Sequence, residues 1–162
     1  MTELVGRERV AADAAERGIE VEFIERPAAN SLEEAAEILG IDPASIVKSL
    51  VVKRHDGTYL FALIPGNRQI SWPKLRAVVG VNKLRMPEAE AALEATGFER
   101  GTITPLGSTT AWPVFADEQI LGKRVGMGAG AHGFSAFVDA DSLIRGLGAT
   151  VADISDPATP RP

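Results

Sequence analysis

Polar and apolar positions recur with a helical period over residues 3–17, and Gly18 stops the run, which predicts an amphipathic helix. Val21 to Glu25 then alternates with a period of two, as a strand does. Ser31-Leu32-Glu33-Glu34 forms a capping box, opening a helix that turns Leu32, Ala35, Ala36 and Leu39 inward, with Gly40 just past its end. Asp42-Pro43 predicts a short helical turn with Asp as cap. Ile46–Lys53 and Thr58–Ile64 read as strands joined by His55-Asp56-Gly57, since Asp-Gly between apolar runs marks a hairpin. Pro65-Gly66-Asn67 breaks the second strand, and Ser71 caps a short helix through Val79. A further helix runs from Glu88 to Thr96 and ends at Gly97.

Beyond that point the texture changes. Residues 101–139 are rich in Gly, Thr and Pro, with short apolar runs at Trp112–Ala116, Lys123–Met127 and Phe134–Val138. Short strands and tight loops fit this segment. Asp139 to Leu147 predicts a last helix, and 155–162 a flexible tail. No repeat and no regular βαβα rhythm is visible. The order favours an α+β fold, one mixed-sheet domain over 1–154.

The chain has 162 residues, 45% of them hydrophobic and 24% charged, which suits one soluble domain with a sizeable core. It has no cysteine, so disulfide and thiolate chemistry are excluded. Met1 to Ala15 lacks the apolar core of a signal peptide, no apolar run reaches bilayer-spanning length, and the default location is cytoplasmic. The net charge of −5 argues against a nucleic-acid partner until its distribution is counted. Residues 1–45 hold 4 basic and 11 acidic side chains. Residues 48–85 hold 8 basic ones (Lys48, Lys53, Arg54, Arg68, Lys74, Arg76, Lys83, Arg85) against Asp56 alone. That basic middle is either a footprint for a phosphate-bearing partner or the internal counterweight of an acidic helix.

Lys48 stands out. Alternation puts it on one strand face with Ile46, Leu50 and Val52. An ammonium is costly to bury without a partner, so a lone lysine there points to a pocket that needs positive charge. The alternative is an edge-strand lysine whose stem packs while its amine reaches water.

Other motifs exclude more than they offer. Gly128-Ala129-Gly130-Ala131-His132-Gly133 matches G-x-G-x-x-G, but a strand-like run follows where a dinucleotide site needs a helix. What survives is a glycine loop able to bring backbone N–H groups close to a ligand. Gly133-Phe134-Ser135-Ala136-Phe137 lacks the second glycine of a nucleophile elbow. Two histidines and no cysteine give no basis for a zinc site, and a helix cap explains Asp139 better than metal binding does. Catalysis, if present, falls to a lysine, backbone amides and the substrate's own groups.

Three segments together resemble the YbaK/EbsC family, which shares its fold with the editing domain of bacterial prolyl-tRNA synthetases. They are Ile46-Val47-Lys48-Ser49-Leu50-Val51-Val52, Gly101-Thr102-Ile103-Thr104-Pro105-Leu106-Gly107, and Gly130-Ala131-His132-Gly133 followed by Asp141-Ser142-Leu143. The order agrees across residues 19–148. Two positions depart: His132 stands where the family often has Arg or Lys, and Ser142 where an aspartate is usual, with Asp141 one residue early.

The resemblance implies a mixed, barrel-like β-sheet flanked by helices, and hydrolysis of the ester that joins a wrongly attached amino acid to the 3′ end of tRNA, in trans. It assigns Lys48, Gly101 and Gly130 to catalysis and Thr104, Pro105, Gly128, His132, Gly133 and Asp141 to substrate binding. Lys53, Arg54, Arg68, Lys74 and Arg76 would meet the tRNA. It calls for no cofactor, metal, membrane or DNA; the partners are the acceptor end of mischarged tRNA and an aminoacyl-tRNA synthetase. A pocket that binds tRNA or an aminoacyl-adenosine without hydrolysing it is the alternative, and cleavage of another small ester or amide ranks third.

Overall fold

The computed structural model describes residues 6–158. Five helices and ten strands follow in an α+β order. Helix α1 (Gly6–Glu16) buries Val10 and Ala14, one turn apart on one face; residues 3–5 of the expected helix lie outside the described residues. Strand β1 (Glu22–Glu25) leads to α2 (Leu32–Leu39). Ser31 caps α2 by accepting the Glu34 N–H at 3.0 Å, and Glu34 answers by accepting the Asn30 N–H. Gly40 ends the helix at φ 68°, a left-handed conformation that glycine adopts without strain.

Strands β2 (Val47–Arg54) and β3 (Tyr59–Pro65) form the expected hairpin, each shifted by one residue from the sequence-based bounds. After β4 (Arg68–Ile70) come α3 (Trp72–Val79), β5 (Leu84–Arg85) and α4 (Ala89–Thr96). The glycine-rich part supplies β6 (Val114–Asp117), β7 (Arg124–Gly128) and β8 (Phe134–Asp139). Helix α5 (Ala140–Leu147) is capped by Asp139, whose carboxylate accepts the Ser142 N–H. The chain then forms β9 (Thr150–Ala152) and β10 (Ser155–Pro157).

Three sheets result. The largest has the order β5-β2-β3-β6-β9, with β3, β6 and β9 parallel; a second is β1-β8-β7, and β10 pairs with β4. Among the described residues no sheet closes into a barrel. The tail expectation is corrected at its start: Ser155–Pro157 is a ladder strand on β4, held there by Arg68, and 159–162 lie outside the described residues.

Strand β3 is apolar from end to end because both its faces are covered. Phe61 and Leu63 enter one core with Val47, Val51, Phe98 and Val125. Leu60, Ala62 and Ile64 enter a second with Val52, Leu75 and Ile154. Burying each such large side chain contributes about 1.5–3 kcal/mol. The buried Asp117 carboxylate accepts the N–H groups of Gln119 and Ile154, tying β6 to the chain before β10.

Candidate functional site

A cleft of about 700 Å3 opens beside β2. Its origin lies in the sheet. Strand β2 pairs with β3 along most of its length but with β5 only at Lys53 and Arg54. Apart from one bridge between Ile46 and Gly126, the Val47–Val51 edge opposite β3 carries no strand partner among the described residues. The Arg54 N–H bonds to Thr58 O at one end and the Gly66 N–H to Ile46 O at the other, so the even-numbered residues spend their backbone groups on β3. The N–H and C=O groups of Val47, Ser49 and Val51 therefore turn toward the open edge.

Around that edge stand Leu32 and Ala35 of α2, Met86 to Glu88 ahead of α4 and Ala89 at its start, Arg100, Gly101 and Ile103, Gly126 to Gly128 of β7, and Phe134 and Ser135 of β8. Gly128 is glycine because a Cβ there would strike the carbonyl oxygen of Ile103. Gly101 holds φ 89°, and its N–H donates to no protein acceptor among the described residues.

Lys48 lines this cleft, half-buried, and its ammonium donates to the carbonyl oxygen of Arg68 in β4. Burial pushes its pKa down, because desolvation penalises the charged form, while the Glu33 carboxylate works the other way. Arg26, just past β1, also lines the cleft; its Nε donates to Ser135 Oγ at 2.8 Å and its Nη1 to Pro27 O at 3.0 Å. Among the described residues no three His, Asp or Glu side chains group so as to hold a metal ion.

Of the residues singled out in the sequence, Lys48, Gly101 and Gly128 meet in the cleft. The others lie elsewhere. Gly130 packs on Gly6 and Phe98, and its N–H is spent on Thr102 O at 2.9 Å. Thr104 is buried and accepts the Leu106 N–H; Pro105 lines a separate recess with Trp112 and Leu147. His132 is exposed, 3.1 Å from a Glu99 oxygen. Gly133 accepts the Arg26 N–H, which fixes the glycine loop against β1. Asp141 accepts the Gly122 N–H and does not line the cleft.

The basic candidates also divide. Arg68 donates to Ser155 Oγ and O, and Lys74 binds Asp153, Asp156 and Ser155 O, so both hold the C-terminal strand. Lys53, Arg54 and Arg76 do not line the cleft. Sequence reasoning missed Arg26, Arg100, Glu88 and Ser135, all of which do. Arg26, Glu88 and Ser135 lie in or beside segments whose period marks an element but not a site, and Arg100 had only its place next to Gly101 as a hint.

Comparison with known proteins gives a consistent setting. Residues 26–145 match the family described as aminoacyl-tRNA editing domain. The proline–tRNA ligase of Thermosipho africanus (strain TCF52B) is 40% identical over 96 residues, 59% of this chain and 17% of the ligase. Across the curated relatives first matched, the chain spans 14% to 19% of their length. A crystal structure described as a proposed trans-editing enzyme for prolyl tRNA synthetase superposes with a TM-score of 0.84 at 30% identity, covering 96% of this chain and 99% of that one. A hypothetical protein superposes with a TM-score of 0.85 at 25% identity over 92% of this chain and 100% of its own.

Proposed function

Because this chain belongs to the aminoacyl-tRNA editing domain family, we propose that it is a trans-acting deacylase that hydrolyses the ester of mischarged tRNA. The observation that carries the reading is the cleft itself, which gathers a partly buried ammonium, an unspent glycine N–H and an open strand edge around apolar walls. Support for action in trans comes from the likeness over 99% of a solved chain described in those terms.

An aminoacyl ester is already activated, so little machinery is needed. Water attacks the ester carbonyl and forms a tetrahedral oxyanion. The unspent N–H of Gly101 is a donor for that charge, beside those of the open β2 edge, whereas Gly130 has spent its own. A donor aimed at an oxyanion contributes about 2.7–4 kcal/mol. The intermediate collapses by breaking the bond to the ribose 3′ oxygen. The vicinal ribose hydroxyl passes the water's proton to that oxygen, and the amino acid departs with its carboxyl group. Lys48 acts as a charge, holding the substrate carbonyl or the terminal phosphate, rather than as the base. The cytosol, where tRNA is charged, is the corresponding compartment; no helix among the described residues is long and apolar enough to cross a membrane.

The test is release of amino acid from a panel of mischarged tRNAs, isoacceptors of the tRNA for proline carrying small residues first. Turnover on at least one member is expected. Tight binding across the panel with no release would instead favour a pocket that recognises the aminoacyl end without cleaving it, a reading helped by His132 and Asp141 standing outside the cleft.

A further inference from the structure

We propose that Arg26 and Arg100 are the phosphate-binding residues through which the cleft grips the 3′ single strand of its tRNA. The inference deepens the deacylase reading, but its test needs no hydrolysis. Three cationic side chains line the cleft, Arg26, Lys48 and Arg100, against the single carboxylate of Glu88. The chain as a whole carries −5, so this recess runs against the protein's own sign. A concave wall of one sign focuses its field on an incoming anion.

Neither arginine forms an ion pair among the described residues. Arg26 is also oriented in advance. Its backbone N–H is fixed on Gly133 O at 2.9 Å, and the guanidinium is held at two nitrogens, Nε on Ser135 Oγ and Nη1 on Pro27 O. Its second terminal nitrogen has no acceptor among the described residues. A guanidinium oriented in this way presents its remaining N–H groups to a phosphate oxygen as charge-assisted donors.

Arg100 sits beside Gly101 in a turn closed by the N–H and Oγ1 of Thr102 on Glu99 O. A phosphodiester held there brings the neighbouring ribose ester to the Gly101 N–H. The two arginines come from different connections of the chain, after β1 and after α4, and a single strand offers each of them a phosphate of its own, where a free phosphate ion offers one. Arg68 and Lys74 are occupied by the C-terminal strand, and Lys53, Arg54 and Arg76, outside the cleft, are left to the body of the tRNA.

Binding of uncharged tRNA, followed by fluorescence anisotropy across a salt series, tests this. Arg26→Ala and Arg100→Ala are each expected to raise Kd about tenfold and to lower the slope of log K against log salt by about 0.7–1. Arg26→Lys should recover part of the affinity. The decisive arm is the same tRNA trimmed of its 3′ single strand, on which the variants should match the unaltered chain. Inorganic phosphate at the same ionic strength should not compete.

Unchanged Kd and slope in both variants, or equal losses on trimmed and intact tRNA, would overturn the proposal. So would competition by phosphate alone. A chain that grips the intact end through these arginines yet releases no amino acid would overturn the deacylase reading and leave this inference standing.

Discussion

Lys48 keeps an ammonium on a strand face that otherwise feeds a hydrophobic core with Leu50, Val52 and Ile64. Its carbonyl partner on Arg68 satisfies a hydrogen bond but supplies no countercharge. The residue was legible in the sequence for that reason: one charge interrupts an apolar run. Because burial lowers its pKa, Lys48 loses its proton at a lower pH than an ordinary lysine. If the charge does the work, the deacylation rate, corrected for spontaneous ester hydrolysis, falls as pH rises through that lowered pKa. In Lys48→Arg, whose guanidinium keeps its proton, any activity retained should lack that alkaline fall. A rate that climbs through the same limb would mean that the neutral amine acts as base.

Gly101 gives a second prediction at this scale. Its φ of 89° disfavours any side chain, while the nearest atom to an added Cβ is His132 Cε1 at 3.9 Å. Gly101→Ala therefore costs about 1–2 kcal/mol from backbone strain alone, read by urea unfolding. It should also lower kcat more than KM. Equal stability and equal kcat would remove Gly101 from the account. Arg26 and Arg100, by contrast, were invisible in the sequence. Each is an arginine in an irregular connection, and only the fold brings them to one cleft.

At the scale of elements, long periodic segments were readable and very short ones were not. The α2 capping box and the β2–β3 hairpin announce themselves through local chemistry. Strands β4, β5, β9 and β10 have two or three residues each, too few to show a period of two. Their stability comes from partners distant in sequence. The β4–β10 pair matters most, since Arg68 reaches Ser155 with its side chain while its carbonyl holds Lys48. Arg68→Ala should cost about 1.5–3 kcal/mol, the usual value of hydrogen bonds from a charged group, and should reduce kcat as β4 loosens behind Lys48. Denaturant midpoints and deacylation rates read both effects. A variant with unchanged stability would show that β10 holds without that clamp.

For the whole molecule, α+β order and a single mixed-sheet domain follow from the succession of elements. The barrel-like mixed sheet flanked by helices that the resemblance implied is present in loose form, as three sheets that do not close among the described residues, with an open edge at β2. That opening is where the cleft lies. The basic middle of the sequence proved to serve two ends. Lys74 pairs with Asp153 and Asp156 and Arg68 binds Ser155 in the C-terminal segment, while Lys48 joins two arginines from outside that stretch to make the cleft positive. Counting charges along the chain could not separate these uses, because both depend on contacts between distant residues.

Cleavage of an aminoacyl ester in the Lys48 cleft is the central proposal. Single-turnover release of labelled amino acid from one mischarged tRNA, compared between the unaltered chain and Lys48→Ala, tests it most directly. The prediction is release well above the spontaneous rate in the first and a loss of about 100-fold or more in the second, the scale of a removed charge-stabilising group. Equal rates in the two proteins would contradict it.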